Sequence, residues 1–137
     1  MFASLVPGIS HNLSFTVPRE KTVPFLYPES PHFEIMPEVF ATGFMVGLME
    51  WCCMEAMAPH LEPGEGSLGT LIHVTHEAAT PPGMTVTVDC TLDRIEGRQL
   101  IFSVTARDET DLIGRGEHGR TVVKWERFVE RVARKAG

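Results

Sequence analysis

The residues FATGFMVGLMEWCCMEAMA, positions 40–58, are apolar or small at nearly every position. Good helix formers fill residues 38–58, no proline interrupts them before Pro59, and LEPGEG follows as a stop signal. This pattern predicts one long helix over residues 38–58. A helix on a protein surface shows a polar face, and this one does not. The fold must therefore enclose the helix.

Segments with strand patterns surround this helix. HNLSFTV, residues 11–17, alternates apolar and polar residues and stops at Pro18, which predicts a short strand. Four later segments rich in Val, Thr, Ile and Phe predict strands at residues 67–79, 85–97, 98–109 and 112–128. The short breaks between these four predict consecutive antiparallel hairpins. The tail, residues 127–137, is either the end of the last strand or a short helix.

These elements predict a single α+β domain over residues 1–137. A curved antiparallel sheet wrapped around one long central helix encloses the helix, and this is the plan of the hot-dog fold. Hot-dog subunits usually pair edge to edge, which also hides an exposed edge strand, so we expect a homodimer. Four prolines lie between residues 21 and 37 and exclude a regular helix or a central strand there. We interpret residues 18–37 as an irregular lid.

Composition excludes several classes of function. The net charge of −6 argues against general nucleic-acid binding, which needs a basic face. The uncharged, largely apolar stretch at residues 39–49 is far shorter than a membrane span. Three cysteines do not make a disulfide framework, and MFASLVPGIS lacks the features of a signal peptide. We therefore expect a cytoplasmic protein with no membrane contact.

Glu50 is the only charge on its stripe of the predicted helix. Burial of a carboxylate is costly unless donors hold it, so Glu50 is either a structural group with hydrogen-bond partners or a reactive one. Gly43 and Gly47 lie on the side toward which its side chain leans, and each costs the helix about 1 kcal/mol relative to alanine. Their presence suggests that a ligand or another backbone approaches this side.

His76 is the candidate partner of Glu50. In GTLIHVTHEA the period-two face through Thr70, Ile72, Val74 and His76 is largely apolar, which predicts that it packs against the helix, with His73 on the other face. A histidine there is either a satisfied core residue or a group that moves protons.

Thr42 is a third polar candidate near the start of the helix. Its hydroxyl could cap the helix, bond to the helix backbone, or take part in a site. It precedes Glu50 by about 12 Å along the helix axis, so direct contact within one chain is not expected. A substrate that spans both residues, or a second subunit, would have to join them.

Other motifs carry less information. HVTH lacks the spacing and the helix of a zinc motif, so we expect no metal, and LEPGEGSLGT lacks the lysine of a phosphate-binding loop. We interpret Cys52 and Cys53 as buried small hydrophobic residues. Arg115, Arg120 and Lys124 lie along the last strand as either an anion-binding edge or a solvated face.

Four segments together resemble the fluoroacetyl-CoA thioesterase family of small hot-dog proteins: YPESP, PEVFATGFMVGLMEW, LEPGEGSLGT and VTHEAATPPG. The resemblance extends from about Lys21 to Lys124. It implies a homodimer without a metal or a separate cofactor, since CoA is part of the substrate. It also implies a catalytic set of Thr42, Glu50 and His76, and an acyl-binding Gly69. The implied hydrophobic lid consists of Val23, Leu26, Phe33 and the residue at 36, and we also expect Val39, Phe40 and Arg120 to contact the substrate.

The resemblance predicts hydrolysis of a short-chain acyl-CoA, with fluoroacetyl-CoA as the expected substrate and fluoroacetate and CoA as products. Glu50 would attack the carbonyl or activate a water, or His76 would first remove a proton from the fluorinated carbon. The family's lid carries phenylalanine where this chain has the more flexible Met36, which favours weaker discrimination. Three alternatives remain open: a broader acetyl-type thioesterase, a non-catalytic acyl-CoA-binding regulator and a hot-dog hydratase.

Overall fold

The computed structural model describes all residues, 1–137. Five strands form one antiparallel sheet in the order β1-β3-β4-β5-β2. They are β1 (Ser10–Thr16), β2 (Glu65–Val74), β3 (Thr85–Glu96), β4 (Gln99–Arg107) and β5 (Leu112–Lys124). The long helix α2, Thr42–Met57, packs against β1, β3 and β4. The two edges of the sheet are therefore β1 and β2.

The core lies between α2 and the sheet. Side chains along β3 and β4 are alternately buried and exposed over much of their length, as the period of a strand requires when one face is covered. Phe102 on β4 and Met45 and Met49 on α2 are completely buried in the same cluster. Cys52, Cys53 and Cys90 are also buried there as free thiols, with Cys52 Sγ 3.5 Å from Cys90 Sγ.

One face of α2 is not covered by its own chain. Trp51 and Met54 are 46% and 47% exposed, Gly43 and Gly47 are exposed, and a β-carbon added at Gly47 would meet nothing within 4 Å. Within a single chain, the sheet therefore encloses this helix on one side and leaves the other uncovered. The sheet covers only the side on which Met45, Met49 and the cysteines lie.

The helix begins four residues later than predicted, at Thr42. Residues 38–41 are held by neighbouring segments instead: Phe40 forms a bridge with Thr22, its N–H donates to Thr80 O at 2.8 Å, and the Ala41 N–H donates to Lys21 O. Ala41 accordingly has an extended backbone and occupies the N-cap position. These tertiary hydrogen bonds override the helix propensity of the local sequence.

The predicted hairpin between the second and third strands is wrong. β2 pairs with β5, and residues 75–84 carry the chain from one edge of the sheet to β3. The hairpins β3–β4 and β4–β5 are confirmed. β2 also contains an irregularity between Gly69 and Leu71, which breaks the period-two pattern. Thr70 and Ile72 are exposed rather than packed on the helix, although Ile72 pairs with the buried His118 and so shares its face of the sheet. Only Val74 of that predicted face contacts the core.

The lid segment contains only short helical turns, at Arg19–Lys21, Val23–Phe25 and α1 (Pro31–Glu34). At the other end of the chain, the helical alternative for the tail is correct: β5 ends at Lys124 and α3 covers Trp125–Ala136. The Trp125 ring lies over Gly66, where a β-carbon would come within 1.9 Å of it. None of the helices is both long enough and apolar enough to span a lipid bilayer.

We predict that Phe102→Ala lowers the free energy of unfolding by about 3–5 kcal/mol, because it removes a fully buried ring and leaves a cavity. Urea titration followed by circular dichroism measures this loss. Val129→Ala on α3, where the side chain is 61% exposed, is the control and should change stability by less than about 0.5 kcal/mol. A loss below about 1 kcal/mol for Phe102→Ala would contradict this description of the core.

Candidate active site

Thr42 and His76 form a hydrogen-bonded pair at the N-terminal end of α2. Thr42 is the first residue of the helix, and its Oγ1 lies 2.7 Å from His76 Nδ1. The N-cap position belongs to Ala41. The Thr42 hydroxyl therefore orients an imidazole rather than capping its helix.

His76 lies two residues beyond the end of β2, not within the strand as predicted. The backbone on both sides of it still bonds to β5: the Thr75 N–H donates to Arg115 O at 2.9 Å, and the Glu77 N–H donates to Ile113 O at 2.6 Å. These two bonds hold the imidazole at a fixed place beside the start of the helix.

The other ring nitrogen of His76 is free. Nε2 is buried and has no hydrogen-bond partner in the protein. Burial lowers the pKa of His76 from its usual value, and the nearby backbone of Ala78 offsets part of this effect. The ring is therefore neutral near pH 7, and Nε2 is available to give a proton to a bound molecule or to take one from it.

Four of the predicted substrate-binding residues surround this pair. Together with neighbouring residues they line a pocket of about 300 Å³. The lining residues are Val23, Met36, Val39, Phe40, Thr42, His76, Glu77, Ala78 and Ala79. The structure thus brings part of the lid, the start of α2 and the segment after β2 to one mainly apolar hollow.

Two further lid residues, Leu26 and Phe33, do not line this pocket. Leu26 lies against α2, where a β-carbon at Gly43 would approach its methyl groups to 3.2 Å. Phe33 stacks on Tyr27 with ring centroids 5.8 Å apart. The close approach that the helix glycines suggested is thus made, at Gly43, by the chain's own lid.

Glu50 meets Gly69 and Arg120 near the middle of α2. Glu50 Oε1 lies 3.3 Å from Arg120 Nη1 and would be only 2.6 Å from a β-carbon at Gly69. Glycine at 69 is therefore what allows the carboxylate to lie against β2. The Glu50 side chain is 36% exposed, whereas that of Arg120 is 4% exposed.

Arg120 is a buried guanidinium, and each of its three nitrogens donates to a hydrogen-bond acceptor. Nε donates to Ser67 Oγ at 2.8 Å, Nη2 donates to Ser67 O at 2.9 Å, and Nη1 lies 3.1 Å from His118 Nε2 and faces Glu50. Burial lowers the pKa of Arg120, and the Glu50 carboxylate opposes that shift. An arginine remains charged in such surroundings, so Glu50 supplies its counter-charge.

The sequence reasoning missed Ser67 and His118. His118 and Arg120 are two residues apart on β5, so the period of a strand places both on the face that carries Arg120 toward α2. That spacing was a usable signal for His118. Ser67 had none, because its role depends on the pairing of β2 with β5.

The predicted catalytic residues thus occupy two clusters within one subunit. Thr42 and His76 form one, and Glu50 with Gly69 and Arg120 forms the other. No hydrogen bond of the chain joins Glu50 to Thr42 or His76, and about 12 Å of helix separates residues 42 and 50. The expected meeting of acid and imidazole therefore does not occur inside a single subunit.

The other basic residues of β5 do not join Arg120 in one anion-binding edge. Arg115 pairs with Glu77 at 3.2 Å and is largely exposed, and Lys124 is exposed, whereas Arg120 points into the protein. The solvated-face interpretation thus fits Arg115 and Lys124. No group of three or more His, Cys, Asp or Glu side chains is arranged to hold a metal ion.

We predict that His76 titrates with a pKa below its usual value of 6.5, because burial disfavours the imidazolium. The unfolded chain binds this proton more readily, so the contribution of His76 to stability is complete above pH 6.5 and is lost as the pH falls through the lower folded pKa. An NMR titration of the ring protons, assigned with a His76→Gln variant, measures this. A midpoint at or above 6.5 would contradict a buried neutral ring.

Comparison with known proteins gives a consistent result. The model of a family described as fluoroacetyl-CoA-specific thioesterase matches residues 17–126. A fluoroacetyl-CoA thioesterase from Streptantibioticus cattleyicolor is 63% identical over 121 residues, which are 88% of this chain and 87% of that protein.

Solved structures are similar as well. A variant of the fluoroacetyl-CoA-specific thioesterase in complex with fluoroacetate and CoA is 60% identical and superposes with a TM-score of 0.89, covering 90% of this chain and 99% of that one. A hot-dog-like protein from Thermanaerovibrio acidaminovorans is 26% identical with a TM-score of 0.83, covering 99% and 94%. The predicted α+β hot-dog fold is therefore confirmed, and the chain belongs to the fluoroacetyl-CoA-specific thioesterase family.

Proposed function

We propose that this protein hydrolyses fluoroacetyl-CoA to fluoroacetate and CoA. Water supplies the hydroxyl group of the acid, and the sulfur leaves as the CoA thiol. Membership of the family and the 63% identical fluoroacetyl-CoA thioesterase support this substrate. A 60% identical relative has been solved with both products, fluoroacetate and CoA.

One observation carries the proposal: the Thr42–His76 pair with its free, buried Nε2 at the lid pocket. A pocket of about 300 Å³ with apolar walls suits a two-carbon acyl group and the start of the pantetheine arm. A buried nitrogen without a partner costs free energy, which a substrate or a water molecule would recover by bonding to it. A purely structural histidine would have both nitrogens satisfied.

The roles of the residues follow from their chemistry. Glu50 attacks the thioester carbonyl or activates the attacking water, and His76 carries a proton through Nε2 while Thr42 holds Nδ1. The Gly69 backbone N–H stabilises the developing oxyanion. Alternatively, His76 first removes a proton from the fluorinated carbon, the resulting enolate expels CoA as the thiolate, which takes up a proton, and water then adds to the ketene that remains to give fluoroacetate. In heavy water, only the second route introduces deuterium at that carbon.

We infer that a homodimer completes the site. The uncovered face of α2, with Gly47, Trp51 and Met54, needs a cover, and the edge strand β2 exposes Leu71 and Ile72 at 39% and 44%. An unpaired edge beside an apolar helix face is the surface that a second copy of the chain would bury. The two surfaces are continuous with each other at Gly69 and Glu50.

Antiparallel pairing of two β2 strands would produce a shared active site. If the two-fold axis passes near residue 71, the segment beyond Val74 in the partner lies alongside the start of β2 in this chain. His76 of the partner subunit then approaches Glu50, and the acid and imidazole clusters meet across the interface. This arrangement joins the two clusters that a single subunit keeps apart.

A broader acetyl-type thioesterase is the second candidate, favoured by Met36. This side chain lines the pocket but is 46% exposed, and a flexible methionine selects shape less sharply than an aromatic ring. A non-catalytic regulator has no need of the free His76 Nε2, and a hydratase would need an unsaturated substrate. The absence of a separate cofactor and a cytoplasmic location remain predictions, the latter supported by three free cysteines.

We predict that thiol release from fluoroacetyl-CoA exceeds that from acetyl-CoA by about tenfold or more in kcat/KM, measured on one protein preparation. Equal rates on the two thioesters would favour the acetyl-type alternative.

We also predict that Glu50→Gln, which keeps the shape of the side chain but removes the carboxylate, lowers kcat for thiol release by about 100-fold or more. Turnover of Glu50→Gln within a few fold of the unchanged protein would remove Glu50 from both proposed roles.

A further inference from the structure

His118 lies against the Glu50–Arg120 pair and has no part in the roles described so far. It is completely buried on β5. Its Nδ1 is 2.8 Å from Leu71 O, and its Nε2 is 3.1 Å from Arg120 Nη1. Both ring nitrogens therefore have a partner, in contrast to those of His76.

The partners fix which nitrogen carries the proton. A guanidinium nitrogen can only donate, so His118 Nε2 must accept from Arg120 Nη1. A carbonyl oxygen can only accept, so Nδ1 carries the proton and donates it to Leu71 O. The ring is thus neutral and held in a single tautomer.

The same contact fixes the direction of Arg120 Nη1. Its two N–H groups go to His118 Nε2 and to Glu50 Oε1, while the rest of the guanidinium is held by Ser67 Oγ and Ser67 O. The contact to Glu50 is long, at 3.3 Å, and Glu50 is the partly exposed member. The position of the carboxylate therefore depends on a guanidinium that its buried neighbours orient.

We propose that His118 is a positioning residue: as a neutral acceptor, it fixes Arg120 Nη1 against the Glu50 carboxylate. This inference rests on the proposed function, because it assumes that Glu50 acts on the thioester or on the attacking water.

The surroundings of His118 favour its neutral form. The charged groups that face it are Arg120 from β5 and Glu50 from α2; β2 contributes the Leu71 carbonyl, and its neighbour across the β4 pairing is the uncharged Phe102. Burial is the main cause that lowers the pKa of His118, and Arg120 acts in the same direction. A protonated ring would direct an N–H at the N–H of Arg120, and one of the two side chains would have to move.

The first test reads the tautomer directly and needs no turnover. Long-range proton–nitrogen NMR of the unchanged protein at pH 7 should show His118 protonated at Nδ1 and unprotonated at Nε2. A proton on Nε2 would overturn the proposal, whatever the outcome for Glu50. This measurement therefore separates a failure of the His118 inference from a failure of the proposed function.

The second test compares two substitutions that each keep one half of the ring's hydrogen bonding. His118→Gln places an amide oxygen near the position of Nε2, where it can accept from Arg120. His118→Asn places an amide N–H near the position of Nδ1, where it can donate to Leu71 O, but offers Arg120 nothing. Thermal midpoints and circular dichroism show whether both variants fold.

We expect His118→Asn to lower kcat for fluoroacetyl-CoA by about tenfold or more with KM changed less than about twofold, since a hydrogen bond to a charged group is lost. His118→Gln should stay within about threefold of the unchanged kcat. Equal losses in two folded variants would overturn the acceptor role, and so would an unaltered kcat in His118→Asn. If either variant fails to fold, the NMR result alone decides.

Discussion

The apolar character of α2 on all sides is the constraint on which the rest of the structure depends. The sheet covers the side of the helix that carries Met45, Met49 and Cys52, and this burial forms the core. The opposite side carries Gly43, Gly47, Glu50 and Trp51; Glu50 lies against Gly69 on the β2 edge, and the Trp51 ring packs against Phe15 of β1. The helix thus holds the fold together on one side and carries the proposed acid on the other. Stability and function use different faces of the same element.

Electrostatics differ between the two clusters for physical reasons. At the start of the helix, an imidazole is buried with one nitrogen free, which keeps it neutral and able to exchange a proton. Near the middle of the helix, a buried guanidinium is surrounded by acceptors and holds a carboxylate at the surface. One cluster is arranged for proton transfer and the other for a fixed negative charge. The proposed hydrolysis uses both, the imidazole to move a proton and the carboxylate to attack the carbonyl or activate the water.

Much of the fold and of the candidate site was predictable from the sequence because the signals are local. The apolar run predicted the helix and the place of Glu50 on it, period-two segments predicted the strands, and segments such as LEPGEGSLGT and VTHEAATPPG indicated the family. The errors arise where contacts between distant residues determine the structure. The bonds of Phe40 to Thr22 and Thr80 hold residues 38–41 out of the helix. Ile72 is exposed because β2 is an edge strand, and β2 pairs with β5 rather than with β3. Likewise, Ser67 accepts a hydrogen bond from Arg120 only because β2 pairs with β5.

The central claim is that the acid of one subunit and the imidazole of the other form each active site. Mixing the inactive variants Glu50→Gln and His76→Ala, with unfolding and refolding to exchange subunits, tests it most directly. In a shared site, each mixed dimer contains one pair with intact Glu50 and His76, so about a quarter of the unchanged activity should return. If each site belonged to one chain, both sites of every mixed dimer would carry a substitution. A refolded mixture with mixed dimers present and no thiol release would contradict the account.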